Sequence, residues 1–153
     1  MSLTFSEIKP AELVRIRELE FAIFGEVRAT PIIEQQPLYN WMGLSYMAWS
    51  NDAPVGFVLV SLDPDVPSRA WLYTIGVLSY FRHQEVAHTL MSHVLDACTG
   101  QGLKELRLHV ESHNLAAVLL YSSAGFEEIT DDINQPTADT TEESITMTRV
   151  LNN

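Results

Sequence analysis

The sequence predicts an α/β fold of about seven strands and three or four helices, and three patterns carry that prediction. Apolar residues recur at helical spacing at Leu13, Ile16, Leu19 and Ile23, and again at Val86, Leu90, Val94 and Ala97. Leu106, Leu108 and Val110 alternate with Arg107, His109 and Glu111, the period of a strand with one buried face. Two β-prone runs, Leu44 to Trp49 and Val55 to Leu62, flank the turn-forming Asn51-Asp52-Ala53-Pro54 and read as a hairpin, so the sheet begins antiparallel. Without a repeat, a low-complexity tract or a long interior linker, residues 1–153 are expected to form one domain.

Taken in order, Thr4 to Ile8 alternates as a short strand, and Pro10 suits the first position of a helix that Gly25 stops. Pro31 to Asn40 is assigned a second short helix leading to Trp41 and Met42. Asp63 to Ser68, with two prolines and two aspartates, is a loop before the strand Ala70 to Val77, whose apolar residues on both faces suggest a central place. The helix from Val86 runs to Gly100 and Gly102. Asn114 supplies an N-cap for Leu115 to Ser123, and Gly125 fits the left-handed position that follows. Phe126 to Ile133 and Ser144 to Val150 are closing strands joined by the polar, acidic loop Asn134 to Glu143.

Composition narrows the function. A formal charge of -11, from 20 acidic against 9 basic residues, argues against nucleic acid as a partner. An acidic surface attracts cationic amines, though it also serves plain solubility. No long apolar run or signal-like N-terminus predicts a membrane partner, so a cytoplasmic protein is expected. The single cysteine, Cys98, has no internal partner, and no CxxC or HExxH spacing offers a metal site.

Chemistry concentrates between Trp71 and Glu127. A strand, a polar loop and a helix start follow directly in Ile75-Gly76-Val77-Leu78-Ser79-Tyr80-Phe81-Arg82-His83-Gln84-Glu85-Val86-Ala87. The free N–H groups at such a helix start can hold a phosphate, with Arg82 either adding a bidentate contact or simply lying on the surface. Gly76, inside an apolar strand, marks a bulge, a close approach of another backbone, or a packing glycine.

These residues resemble the GNAT superfamily of acetyl-CoA-dependent N-acetyltransferases. The likeness covers about 55 residues: Leu72-Tyr73-Thr74-Ile75-Gly76-Val77, Tyr80-Phe81-Arg82, Asn114, Ala117, Leu120-Tyr121 and Gly125-Phe126. It implies a mixed, mostly antiparallel sheet, acetyl-CoA as cosubstrate and a primary amine as acceptor: a protein N-terminus, a lysine or a small amine. The family pattern R/Q-x-x-G-x-G/A reads here Arg82-His83-Gln84-Glu85-Val86-Ala87, and the loop through His88 would hold the pyrophosphate. Glu85 stands where the pattern has glycine, placing a carboxylate beside a doubly charged group, although a helical residue there needs none of glycine's backbone freedom.

The same resemblance puts Asn114 near the pantetheine arm and Tyr121 beside the sulfur, where a phenol can protonate the leaving thiolate. The backbone of Ile75 and Val77 would pair with pantetheine and hold the acetyl carbonyl. His109 occupies the position at which related ribosomal-protein N-terminal alanine acetyltransferases carry a glutamate base, and it or Glu111 would take the acceptor's proton. Leu19 to Glu26 looks like an acceptor-side helix and loop. A different reading makes the chain a degenerate module that binds a nucleotide or partner without turnover, and a third makes Trp41 and Trp49 an exposed interface, leaving monomer and homodimer both open.

Overall fold

In the computed structural model, which describes residues 2–129 and 144–151, seven strands form one sheet. They are β1 (Leu3–Glu7), β2 (Tyr46–Ser50), β3 (Ala53–Leu62), β4 (Arg69–Val77), β5 (Glu105–Glu111), β6 (Glu127–Ile129) and β7 (Ser144–Val150), in the order β1-β2-β3-β4-β5-β7-β6. Every neighbouring pair runs antiparallel except β4 and β5, which are parallel.

Among the described residues four α-helices cover the sheet: α1 (Leu13–Phe24), α2 (Ala29–Glu34), α3 (Val86–Gly100) and α4 (Leu115–Ser123). On one face Ile16 and Leu19 of α1 and Ile33 of α2 join Trp41, Met47, Phe57 and Leu59. On the other, Leu90, Met91 and Val94 of α3 and Tyr121 of α4 join Val58, Val60, Leu72, Leu106 and Leu108. The alternation of β5 resolves as expected, with Leu106, Leu108 and Val110 buried and Arg107 and His109 half-buried on the opposite face. Among the described residues no helix is long and apolar enough to cross a membrane.

Several expectations need correction. The second helix spans Ala29–Glu34 rather than residues 31–40: Pro31 is tolerated in its first turn, where no intrahelical donor is needed, while Pro37 precedes only a short 3-10 turn, Leu38–Asn40. The hairpin turn is Asn51-Asp52 alone, with Asn51 at φ 57°, and Pro54 lies within β3 beside a register irregularity at Ala48/Trp49, where a missing donor costs least. The strand β4 sits mid-sheet as expected, but the strand buried along most of its length on both faces is β3: in β4, Trp71 and Tyr73 on one face are half-buried, and past the register irregularity opposite Leu59/Val60 the half-buried Ile75 lies on the other. Trp41 is fully buried, and Trp49 is held by Ser6 Oγ at 2.9 Å and by Arg15 over its ring at 5.0 Å, so the two form no exposed interface. Of the expected strand Phe126 to Ile133, Glu127–Ile129 form β6; its remainder past Ile129 and the expected loop 134–143 lie outside the described residues.

Candidate active site

The site arises where two halves of the sheet part. β4 and β5 pair from Arg69↔Glu105 to Leu72↔Leu108 and no further, although β4 continues to Val77 and β5 to Glu111. Each strand keeps its other neighbour: β4 pairs with β3 as far as Val77↔Gly56, and β5 with β7 as far as Glu111↔Ser144. The halves therefore diverge with the twist of the sheet, opening a cleft of about 2150 Å³. Among the described residues no strand pairs with the cleft-facing edge of β4 beyond Leu72, so its main chain faces the cleft.

One end of the cleft carries the predicted cofactor residues. Ile75, Val77, Arg82, Glu85, Ala87, His88 and Asn114 all line it. A 3-10 turn, Ser79–Gln84, which contains His83 and Gln84, joins β4 to Glu85 and α3. Arg82 Nε donates to Val77 O at 3.2 Å, tying the turn to the end of β4 and leaving the terminal guanidinium N–H groups for an anion. Val86 is fully buried, so its side chain serves the core and only its backbone belongs to the loop.

Glu85 is not helical. It is the N-cap of α3 with φ 57° and ψ 27°, in the left-handed region, and this overturns the expectation that the position has no use for glycine. A glycine there would adopt the conformation without the Cβ clash that an L-residue incurs. The Glu85 side chain is exposed at the mouth of the cleft, and its carbonyl accepts from Thr89 N and Thr89 Oγ1, both at 3.1 Å.

Tyr121, His109 and Glu111 line the same cleft. Tyr121 is buried, its ring set edgewise to Phe126 at 5.8 Å, and burial pushes its phenol up to about 12. His109 stacks on Trp71 at 4.8 Å between ring centroids, and its Nδ1 lies 3.0 Å from Thr146 Oγ1. Glu111 is exposed and pairs with His113 at 3.0 Å. Asn114 Oδ1 accepts from Ala117 N at 3.3 Å, the predicted N-cap, which fixes the start of α4 one helical stretch ahead of Tyr121.

On the face of β4 to which Gly76 turns, the cleft is walled by α1 and the turn after it. Gly76 is a close-approach glycine, but the neighbour is a side chain rather than a backbone: a Cβ there would come within 2.9 Å of the Phe24 ring. Glu20, buried at 3% exposure, accepts from Arg28 N (3.1 Å), Ala29 N (2.8 Å), Thr30 N (3.0 Å) and Thr30 Oγ1 (2.6 Å). One carboxylate thus satisfies the donors at the start of α2 and pins the turn between the helices. Sequence reasoning gave Glu20 no role of its own, yet it lies on the apolar stripe Leu13-Ile16-Ile23, where a carboxylate needs donors to be buried. Trp71 was likewise passed over, because a tryptophan in a strand signals packing first.

Comparison with known proteins agrees with this geometry. A profile described as the acetyltransferase (GNAT) family matches residues 13–126. The [ribosomal protein bS18]-alanine N-acetyltransferase of Escherichia coli K12 is 31% identical over 105 residues, 68% of this chain and 69% of that protein. N-alpha-acetyltransferase 50 of Danio rerio is 26% identical over 133 residues, 83% of this chain and 76% of its own. In fold, the crystal structure of the ribosomal-protein-S18-alanine N-acetyltransferase from Escherichia coli aligns with a TM-score of 0.81 at 24% identity, over 99% of this chain and 96% of the other. Arabidopsis thaliana Naa50 in complex with the bisubstrate analogue CoA-Ac-MVNAL aligns with a TM-score of 0.76 at 22% identity, over 97% and 99%.

Proposed function

Since the chain belongs to the acetyltransferase (GNAT) family and transfers an acetyl group from acetyl-CoA to an amine, we propose that its acceptor is the α-amino group of a protein N-terminus and that Tyr121 and His109 handle the protons. Relatives named for N-terminal acetylation support the acceptor class, as does a cleft lined also by Phe24, Glu26 and Arg28, residues outside the cofactor set that an acceptor can meet. The observation that carries the chemical reading is the buried Tyr121 phenol lining the cleft where β4 and β5 part.

The residues fit acetyl-CoA as substrate. The open edge of β4 from Tyr73 to Val77 suits an extended arm with amide groups, and the turn into α3 with Arg82 suits its pyrophosphate. The amine nitrogen attacks the thioester carbon, and main-chain donors of β4 hold the oxygen as it gains charge. Tyr121 gives its proton to the departing sulfur; its raised pKa keeps that proton in place at neutral pH. His109 accepts the proton that the ammonium must shed before or during attack, directly or through water. We assign this to His109 over Glu111 because His109 is half-buried beside the parting strands, whereas Glu111 is exposed and already paired with His113. Residues 1–153 act as one catalytic domain in this reading, and the buried Cys98, its thiol pushed up to about 12 by burial, suits the reducing cytoplasm.

Calorimetric titration with acetyl-CoA, beside a nucleotide lacking the pantetheine arm, tests the cofactor end; binding should require the arm. Acetylation of a peptide with a free N-terminus, against the same peptide blocked at its N-terminus and carrying an internal lysine, tests the acceptor. Preference for the blocked lysine peptide would overturn the N-terminal assignment, and loss of arm dependence would favour a binding module without turnover.

A further inference from the structure

We propose that Trp71 is a positioning residue for the base, holding the His109 imidazole in the plane and rotation at which it exchanges a proton with the acceptor. The inference rests on the reading of His109 as base. It begins in the loop after β3, where Asp63 Oδ1 accepts from Asp65 N at 2.7 Å and Val66 N at 3.0 Å, which fixes the carboxylate to its own turn. Asp63 Oδ2 accepts from Trp71 Nε1 at 2.6 Å and has Arg69 Nη1 at 3.6 Å. Burial works to raise the pKa of this carboxyl, but the hydrogen bonds and the charge of Arg69 outweigh it and hold the group below its ordinary value. The indole N–H therefore donates to a fixed carboxylate, and the ring cannot turn without breaking that bond.

The register carries the orientation to His109. Trp71 is paired with Arg107, so His109, two residues on, projects from the same face beside the indole. The rings stack at 4.8 Å with 29° between their planes. Directly across on β7, Thr146 is the register partner of His109 and meets its Nδ1 at 3.0 Å. The stack fixes the ring plane and Thr146 fixes its rotation within that plane. With Nδ1 turned to Thr146, proton exchange falls to Nε2.

The charges around the ring permit this. On the same face β4 and β5 supply Arg69, Tyr73, Glu105, Arg107 and Glu111, β7 supplies the hydroxyls of Ser144, Thr146 and Thr148, and β6 contributes Glu127, while Glu128, of opposite parity on β6, also lines the cleft; Glu26 and Arg28 line the wall across it. Arg107, the nearest cation along β5, is tied to Glu105 at 2.9 Å, and Glu105 is also bound by Arg69 at 2.7 Å and Thr148 at 2.7 Å, so its charge is offset locally. The indole face favours an imidazolium over a neutral ring. Besides setting its geometry, Trp71 thus offers its ring face to the imidazolium that His109 becomes on accepting the proton.

The test is the pH profile of acetyl transfer under saturating acetyl-CoA in Trp71→Leu, Trp71→Phe and His109→Gln, with imidazole titration by NMR. Trp71→Leu should lower kcat about tenfold through lost alignment and move the acidic limb down by about half a pH unit, with acetyl-CoA affinity unchanged. Trp71→Phe, which keeps a ring face, should recover most of the rate. If Trp71→Leu does not fold, Asp63→Asn, which removes the charged acceptor of the indole, should shift the limb in the same direction by less. A limb that vanishes in His109→Gln but stays unmoved in the Trp71 or Asp63 variants overturns this inference alone. A limb that persists in His109→Gln overturns the assignment of the base.

Discussion

Replacing Glu85 by glycine removes two unfavourable features at once, and a second variant separates them. The first is conformational: Glu85 sits at φ 57°, where an L-residue costs about 1–2 kcal/mol, and glycine gives back up to about 1 kcal/mol through its freer unfolded state. The net gain of about 0.5–1 kcal/mol corresponds to a rise in Tm of about 1–4 °C for a domain of this size. The second is electrostatic: one carboxylate against a doubly charged pyrophosphate at about 4 Å in water opposes binding by about 2 kcal/mol before salt screening. Because the Glu85 side chain is exposed, screening leaves a smaller effect, about three- to tenfold in Kd. Glu85→Gln keeps the strain and removes the charge. Thermal melts should place Glu85→Gly above the other two proteins, which melt together, while titration with acetyl-CoA should show both variants binding more tightly, with the gap from the parent shrinking as salt rises. A Glu85→Gln protein that melts as high as Glu85→Gly would refute the backbone argument, and unchanged affinity in both would show that the carboxylate does not meet the cofactor.

Tyr121→Phe should lower kcat by about a hundredfold with acetyl-CoA affinity within about twofold, since only the leaving thiolate needs the hydroxyl; unchanged turnover removes Tyr121 from the acid role. Because burial raises this phenol to about 12, the folded protein holds a proton that the unfolded chain releases near pH about 10, so stability falls as pH rises from about 10 to about 12. Cys98, also raised to about 12, adds a fall that begins lower, and Tyr46, likewise raised by burial, adds another, so urea melts at alkaline pH should show a shallower fall for Tyr121→Phe than for the parent. Glu20→Gln places an amide against four donors and should lose about 2–4 kcal/mol in urea melts while raising KM for the peptide; an undiminished midpoint would show the carboxylate to be dispensable. Gly76→Ala brings a methyl within 2.9 Å of the Phe24 ring, which should swing that ring and change acceptor KM several-fold with about 1 kcal/mol or less lost in stability; a large loss with KM unaltered would mean the ring cannot move.

What could be read beforehand follows the range of the interactions involved. Elements set by local periodicity appear where the sequence puts them: α4 at Leu115–Ser123 behind Asn114, β7 at Ser144–Val150, and Gly125 at φ 93°. Positions decided by tertiary contact were misread. Trp41 is buried because α2 and β3 close over it, and Gly76 is required by Phe24, fifty residues and a helix away. The backbone of Glu85 was misjudged because left-handed geometry at a helix start depends on how the preceding 3-10 turn enters it, which residue type alone does not report. Of the candidate site, the sequence singles out Tyr121, His109, Arg82 and Asn114 by side-chain chemistry and motif, and the fold brings them to one cleft. The site was hidden where a residue works through a neighbour, as Trp71 does through Asp63 and Glu20 through the donors of α2.

The early end of β4–β5 pairing has a consequence for how the protein tolerates change. An edge that offers only main-chain groups is indifferent to which side chains flank it, provided the strand stays extended. Tyr73, Ile75 and Val77 can then drift to other strand-forming residues with little effect on an extended arm proposed to pair there, whereas a proline at the same places would delete a donor and block the edge. Variation along this strand is thus a poor guide to lost activity, and the shape of its backbone is the property that selection can see.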